Sequence, residues 1–362
     1  MKKSKVLSLA LVATLTATSM VGCGKKEKTT EATTTEQAVI DVNEVATMSD
    51  AEDIQLVQKE GYVINEYSGE WIDEKLKDQR PLCIMINNLS DAMPQSGISQ
   101  ADVIFEMMVE GGITRLLALF KDYSNIPKLG PVRSARHYYV KVANSIDAIY
   151  AHVGWSVFAE AEINNTGCNN LNGLYDTITY YRDESRVAPH NCYTNSEKIA
   201  EGIENMGYRT TYADTSANRP NMFAFNYEDK DLEGAKPANK INTYLSSYTS
   251  PWFEYDSSKK VYNRFQYNDK QIDDQTAEQL TFKNVLVIQA DYWDVVEGLQ
   301  ELDWERGGSG IYATNGQYID ITWRKKDGVI NFFTEDGEQL KMNPGKTFIT
   351  VADDAKAEIT VE

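Results

Sequence analysis

Runs of apolar residues separated by polar turns extend through most of the chain, and their spacing predicts its elements. The run in "PLCIMI" (81–86) predicts a buried strand, because it is short and almost wholly apolar. Segment 101–122 predicts two strands that form a hairpin, since apolar arms flank the pair Gly111-Gly112. Apolar residues at helical spacing predict a helix over 134–149, with Ser134 as its N-cap.

Helices and strands continue to alternate after this helix. A strand is predicted over 148–155 and a short helix over 156–165. A further helix begins at Thr194 or Asn195 and ends before Gly207, which has the residue type of a helix C-terminus. Because the early hairpin interrupts a pure alternation of strand and helix, we predict a mixed sheet with helices in two or three layers.

The chain after about residue 220 consists mainly of strand-like runs. Three of the turns between them carry dipeptides typical of tight hairpins, namely Asn315-Gly316, Asp327-Gly328 and Asp336-Gly337. Alternating strands joined by such turns predict an antiparallel meander, which closes as a barrel or packs as a sandwich.

The length of the chain indicates more than one hydrophobic core. About 280 of the 362 residues follow the N-terminal segments described next, and one core rarely organises so many. We therefore predict an α+β protein. Its N-terminal mixed α/β sheet domain covers residues 61–218, and a β-rich antiparallel domain, a barrel or sandwich, covers residues 219–362.

The N-terminus is typical of an exported protein. Lysines precede the apolar run "VLSLALVATL", so residues 1–22 are predicted to be a signal peptide. The signal ends in "MVGC", which resembles the lipobox of bacterial lipoproteins and implies a lipid on Cys23. An ordinary secretory signal is the alternative. Residues 23–60, rich in Thr, Glu and Lys at their start, predict a disordered tether.

The strongly acidic charge limits the partners of this protein. The formal net charge is -18, and removal of residues 1–22, which contain three lysines, leaves -21. This negative charge opposes binding to nucleic acid and broad contact with anionic surfaces. Only a local basic pocket would therefore bind an anion. No cofactor is predicted. No CxxC pair supports a zinc site, and Cys168 and Cys192 are a possible disulfide.

Several sequence blocks resemble the YerB-like bacterial lipoprotein family. They include "RPLCIMINN", "PQSGISQADVIFEMMVEGGITRLLALF", "GPVRSAR", "AHVGW" and "YYRDESRVAPHN", and they occur in order before a β-rich tail. The resemblance covers nearly all of residues 80–352. It implies two domains and an envelope location, and it carries over no reaction.

Five arginines fall in the motif-bearing blocks of the first half: Arg115, Arg133, Arg136, Arg182 and Arg186. Cations at a helix start oppose the helix dipole, whereas an anion bound there would be stabilised by free N–H groups and guanidinium groups. The first interpretation is therefore a pocket for a carboxylate or phosphate group. The alternative is a buried ion-pair network, with partners among Glu106, Glu110, Asp102 and Asp183.

The histidines offer a second kind of chemistry. His152 or His190, paired with Glu106 or Glu110, would form an acid–base set. His190 is the stronger candidate, because it lies in a loop with Arg186 and Asn191. Histidine spacing supports no metal site. If Glu106 and Glu110 share one face of a strand, they lie about 13 Å apart, which is wide for a glycosidase.

Aromatic residues near the arginine blocks have two interpretations. They line a sugar- or peptide-binding groove, or they belong to the core, as aromatic residues in strands usually do. The residues concerned are Tyr138, Tyr139, Trp155, Tyr180 and Tyr181.

These observations predict a lipoprotein held by Cys23 on the outer face of the cytoplasmic membrane. We expect a non-enzymatic binding or scaffold module with an arginine-lined anion site. Its candidate partners are the lipid bilayer, cell-wall components and envelope proteins. The alternative is a cell-wall hydrolase that uses His and Glu of the first half.

Overall fold

A computed structural model describes residues 59–215 and 219–362. The predicted signal peptide, the predicted lipidation residue Cys23 and the predicted tether as far as residue 58 lie outside the described residues. Among the helices in the described part of the chain, none is both long and apolar enough to cross a membrane.

The described residues before 216 form nine strands and three α-helices, most of which follow the predicted pattern. The strands are β1 (Tyr62–Ile64), β2 (Trp71–Asp73), β3 (Leu82–Asn87), β4 (Val103–Met108), β5 (Thr114–Phe120), β6 (Ile149–His152), β7 (Asn170–Asn172), β8 (Tyr181–Arg182) and β9 (Cys192–Tyr193). The helices are α1 (His137–Ser145), α2 (Val157–Thr166) and α3 (Ser196–Asn205).

The described residues after 218 form strands and no α-helix. These strands are β10 (Ala224–Phe225), β11 (Lys236–Pro237), β12 (Lys240–Tyr244), β13 (Trp252–Asp256), β14 (Val261–Gln266), β15 (Asp269–Lys270), β16 (Thr281–Phe282), β17 (Asn284–Ala290), β18 (Tyr292–Asp294), β19 (Gln300–Leu302), β20 (Gly308–Thr314), β21 (Gln317–Lys326), β22 (Val329–Thr334), β23 (Lys341–Met342), β24 (Thr347–Asp353) and β25 (Glu358–Val361).

Two of the predicted glycine turns join neighbouring antiparallel strands. Asn315-Gly316 connects β20 to β21, and Asp327-Gly328 connects β21 to β22. All four of these residues have positive φ. This is the backbone conformation of the two-residue hairpin turn whose twist matches the twist of the flanking strands. Local sequence therefore sets the register of this meander.

One mixed sheet runs through both halves of the chain. Its strand order is β11-β21-β20-β17-β24-β4-β5-β3-β6-β7, and β22 also pairs with β21. Strands β3, β6 and β7 are parallel, and so are β17, β24 and β4. The pairing of β4 with β24 joins the two halves, so the sheet crosses the predicted boundary near residue 218. The described residues accordingly belong to one compact unit.

A smaller antiparallel sheet covers one face of the main sheet. It has the order β15-β14-β13-β12-β25, with β16 paired to β14. Phe253 of β13 packs against Phe348 of β24, with ring centroids 5.2 Å apart. This is the packing of a sandwich, and it confirms the β-rich character predicted for the second half.

Alternate residues of the central strands enter two different cores. On β3, Cys83 and Met85 lie in the core that includes α1 and α2, whereas Leu82, Ile84 and Ile86 lie in the core that includes α3 and the smaller sheet. Because both faces of such a strand are buried, its sequence is apolar without alternation. The fold is an α+β arrangement, as the sequence predicts, and of the two or three layers left open for the first half it has three.

The predicted N-cap of the first helix is wrong by two residues. Helix α1 begins at His137 and its N-cap is Arg136, not Ser134. The residues before it are drawn into the sheet edge, since the Arg133 N–H donates to Met85 at 3.0 Å and the Ala135 N–H donates to Gly154 at 2.9 Å. These tertiary hydrogen bonds outweigh the local capping preference of a serine.

Candidate functional site

The candidate site lies at the edge of the main sheet where the parallel strands β3 and β6 end. The Arg133 N–H donates to Met85 of β3, and the Arg133 carbonyl accepts from Val153, just after β6, at 3.0 Å. Helix α1 begins two residues after Ala135, at the same edge. Carboxyl ends of parallel strands and amino ends of helices therefore meet here, a common position for ligands in such sheets.

Arg136 forms an ion pair with Glu110, which lies in the tight turn between β4 and β5. Its Nη2 donates to Glu110 Oε2 at 2.7 Å, and its Nε donates to Glu110 Oε1. Burial raises the pKa of Glu110, but the Arg136 hydrogen bonds and the charges of Arg136 and Arg115 outweigh it, so the pKa is lowered overall. The ion-pair interpretation therefore holds for this pair.

Arg115 contributes a second guanidinium to the same place. It is almost fully buried, donates to the Ser134 carbonyl at 2.6 Å, and lies 3.9 Å from Glu110 Oε2. Burial and then the neighbouring charge of Arg136 lower its pKa to about 10. One carboxylate thus serves two guanidinium groups.

Arg133 is the third cation, and its guanidinium is unpaired. The side chain is half-buried and forms no hydrogen bond or ion pair with any residue that the structure describes. Its pKa is lowered by burial and by Arg136, while Glu110 offsets part of this shift. We call Arg115, Arg133, Arg136 and Glu110 the arginine cluster. Three positive charges there face one negative charge, an arrangement that suits a bound anion.

His190 lies beside the arginine cluster. Its Nδ1 is 2.8 Å from the Asn87 amide nitrogen, and since that nitrogen donates, Nδ1 accepts and Nε2 carries the proton of the neutral ring. Burial and the charge of Arg133 lower the pKa of His190, which favours this neutral form. The imidazole therefore offers an N–H donor without adding another cation.

The other two arginines of the predicted anion site, Arg182 and Arg186, form hydrogen bonds that connect loops. Arg186 donates to the carbonyl groups of Ala92 and Pro94 at 3.1 and 2.8 Å. Arg182 donates to the side-chain oxygen of Asn191 at 3.0 Å. Their guanidinium groups are thus engaged with neutral acceptors, and the described contacts do not join them to the arginine cluster.

Glu106 is a core residue whose partner comes from the second half. Its side chain is fully buried, and Oε2 accepts from Arg264 at 2.8 Å, while Oε1 accepts from Asn88 and Thr114. The expected pairing of Glu106 with first-half arginines is therefore wrong. Buried and partly exposed positions alternate along the strand "VYNRFQ", and Arg264 occupies one of the buried positions. This alternation is the feature of the sequence that could have indicated a buried arginine.

The two glutamates do not share one strand, contrary to the expectation from their spacing. Glu106 lies within β4, whereas Glu110 lies in the turn that follows Met108. Because the chain turns at Gly111, which has φ +68°, the two carboxylates reach different partners.

His152 is buried and structural. Its Nδ1 donates to the Gly154 carbonyl at 2.8 Å, and Nε2 lies 3.1 Å from the Asn170 side chain. Burial lowers its pKa to about 4. Neither His152 nor His190 lies within 4.0 Å of the carboxylate of Glu106 or Glu110 in the structure. The acid–base set that the hydrolase alternative requires is not formed by these residues.

Cysteine and metal chemistry is limited in the part of the chain that the structure describes. Cys83, Cys168 and Cys192 are buried free thiols, so the possible disulfide is not formed. Within the described ranges, no three His, Cys, Asp or Glu side chains are grouped to hold a metal ion.

The chain is similar to known proteins along most of its length. Residues 67–209 match the family described as "Protein of unknown function (DUF3048) N-terminal domain", and residues 241–349 match the corresponding C-terminal domain. The relative named "Putative lipoprotein YerB" from Bacillus subtilis is 32% identical over 294 residues, which cover 79% of this chain and 85% of the relative.

A solved structure supports the same relationship. The crystal structure of YerB protein from Bacillus subtilis is 29% identical and matches with a TM-score of 0.74. The match covers 82% of this chain and 99% of that one. The blocks singled out in the sequence, the fold and these similarities agree, and the chain therefore belongs to the family of YerB-like lipoproteins.

Proposed function

We propose that this protein is a non-enzymatic binding module of the cell envelope that holds a carboxylate or phosphate group of its ligand at the arginine cluster. The observation that carries the proposal is the unpaired, half-buried guanidinium of Arg133 beside two further arginines. A buried or half-buried cation without a partner is costly, and an anion from a ligand would offset that cost.

The surroundings of Arg133 support the same ligand chemistry. The N-cap of α1 is Arg136, which provides no side-chain acceptor for the free N–H groups of the first turn. A bound anion would supply that acceptor. The rest of the protein is strongly acidic and repels anions. The surplus positive charge of the arginine cluster would therefore attract an anionic group of the ligand to this one place.

The test compares thermal melting in phosphate and in chloride at equal ionic strength. Equal ionic strength removes general screening from the comparison. Wild type should melt higher in phosphate, since a ligand at a hundred times its dissociation constant adds about 2.7 kcal/mol of stability. Arg133→Ala should lose this response and keep its stability in chloride, because the substitution relieves repulsion among cations.

The matched control is Arg324→Ala. Arg324 is an exposed arginine whose guanidinium lies 3.7 Å from the ring of Phe333. This variant should respond to phosphate as wild type does. A wild type that is indifferent to phosphate, sulfate and acetate would leave the arginines as a structural ion-pair group and remove the proposal.

Lipid anchoring at Cys23 on the outer face of the cytoplasmic membrane is part of the proposal. Membership of a lipoprotein family supports it, as does the signal that ends at this cysteine. Cys23→Ser should release the protein from membranes, because the chain after this cysteine is strongly acidic and is not attracted to an anionic membrane surface. Cells that produce each form are fractionated with a high-salt wash. A variant that still sediments with membranes would contradict anchoring through this residue.

A further inference from the structure

A separate cleft of about 240 Å³ opens beside the end of β7. Residues from α2, the end of α3 and the loop after β7 line it. Trp155 and Tyr175 form an aromatic wall, with ring centroids 5.7 Å apart and ring planes at 49°. Tyr175 is 72% exposed, so its ring is held against Trp155 in solvent and contributes little to the core.

Uncommitted amide groups lie around this aromatic wall. The side chains of Asn164 and Asn205 are exposed, and neither forms a hydrogen bond within the described chain. Asn172 is 6% exposed; its Oδ1 accepts from Gly154 and Leu174, whereas its Nδ2 has no acceptor. A buried amide without its partner carries a cost that a ligand oxygen would offset.

The cleft offers no free charge to a ligand. Asp176 is the one ionisable carboxylate among the lining residues, and the backbone of its own loop engages it. It accepts from the N–H groups of Ile178 and Thr179 at 2.8 and 3.0 Å and from the Thr179 hydroxyl. The groups that remain are aromatic faces and neutral amides, which suit an uncharged ligand with many hydroxyl groups.

We propose that this cleft binds an uncharged pyranose sugar. The C–H face of the ring would lie on Trp155 and Tyr175, and its hydroxyl or acetamido groups would pair with Asn164, Asn172 and Asn205. The volume suits one ring, since it lies below the range of about 300–1,000 Å³ typical of pockets for larger ligands. The residues differ from those of the arginine cluster, so the proposal does not depend on the anion site.

Saturation-transfer NMR of the folded protein tests this with two probes, methyl β-glucoside and methyl β-N-acetylglucosaminide. Wild type should transfer saturation to the ring protons of at least one probe. Tyr175→Ala should weaken that binding about tenfold, which corresponds to about 1.4 kcal/mol for one aromatic contact. Asn205→Ala is a second variant at an exposed position and should also weaken it.

Tyr248→Ala is the matched control. Tyr248 is 67% exposed and is not part of the cleft. This variant should bind the sugar as wild type does, and Tyr175→Ala should keep the wild-type melting response to phosphate. No transfer to either probe, or transfer unchanged in both Tyr175→Ala and Asn205→Ala, would overturn the proposal. Neither result would affect the anion site.

Discussion

At the residue scale, burial decides what each charged side chain does. Glu106 and Glu110 are the same residue type, four positions apart, and they have different roles. Glu106 is fully buried and pairs with Arg264 inside the protein. Glu110 keeps 26% of its side chain exposed and pairs with Arg136 at the edge of the sheet. The first is a core ion pair, and the second belongs to a cluster with surplus positive charge.

The buried pair leads to a prediction about stability. Arg264→Met should lower the free energy of unfolding by about 3–5 kcal/mol, because it leaves the Glu106 carboxylate buried without a cation. Urea denaturation measures the change. Arg324→Met is the control, since it removes an exposed arginine and should have little effect. Adding Glu106→Leu to Arg264→Met should restore part of the loss. A loss below about 1 kcal/mol for the single variant would contradict the buried pair.

His152 gives a prediction about pH. Burial lowers its pKa from 6.5 to about 4, so between these values the unfolded chain binds more protons than the folded protein. The stability from this group is complete above pH 6.5 and is lost as the pH falls towards 4, by about 3 kcal/mol in total. In an NMR titration the His152 ring signal should stay constant from pH 8 to 5. A midpoint near 6.5 would show that the ring is not buried as described.

At the element scale, local chemistry sets some helix ends and tertiary contacts set others. Helix α3 begins after Asn195, whose Oδ1 accepts from the Lys198 N–H at 2.9 Å, as its sequence predicts. Helix α1 lacks such a cap, and its start follows from hydrogen bonds between residues 133–135 and the ends of β3 and β6. The uncapped end is the one that faces the arginine cluster.

The cap of α3 can be tested directly. Asn195→Ala should lower the free energy of unfolding by about 1 kcal/mol, because it leaves the N–H of Lys198 without an acceptor. Asn195→Ser should retain most of the stability, since serine also accepts at this position. Chemical denaturation compares the three proteins. Equal losses in the Ala and Ser variants would mean that the side chain acts through something other than capping.

At the scale of the whole molecule, the two family-matched regions share one sheet. Strand β4 of the first region pairs with β24, and Phe348 of β24 contacts both Phe253 and Phe282 of the smaller sheet. Glu106 and Arg264 form a further link between the halves. Each half alone would expose an unpaired strand edge and part of a core, so the halves should be coupled in unfolding.

Calorimetry of residues 59–362 should therefore show a single transition, with equal calorimetric and van't Hoff enthalpies. Phe348→Ala, at the junction of the two halves, should cost about 3–5 kcal/mol and lower the whole transition. Two separate transitions, or a Phe348→Ala variant that shifts only part of the unfolding, would show that the halves are independent.

Local patterns alone determined much of this protein. The apolar run 81–86, the hairpin at Gly111-Gly112 and the turns at Asn315-Gly316 and Asp327-Gly328 were predicted from sequence and are present. Each depends on the period of apolar residues or on a glycine that tolerates positive φ, and both are properties of neighbouring residues. Membership of the lipoprotein family was likewise readable from ordered sequence blocks.

Tertiary structure alone decided the rest. Period and turn chemistry do not encode the order of strands in a sheet, so they did not reveal that β4 pairs with β24 or that Glu106 meets Arg264. The same limit applies to sites. Whether Arg133 is paired, and whether Trp155 and Tyr175 face one cleft, depends on contacts between distant segments, because partners and solvent access are set only when the layers pack together.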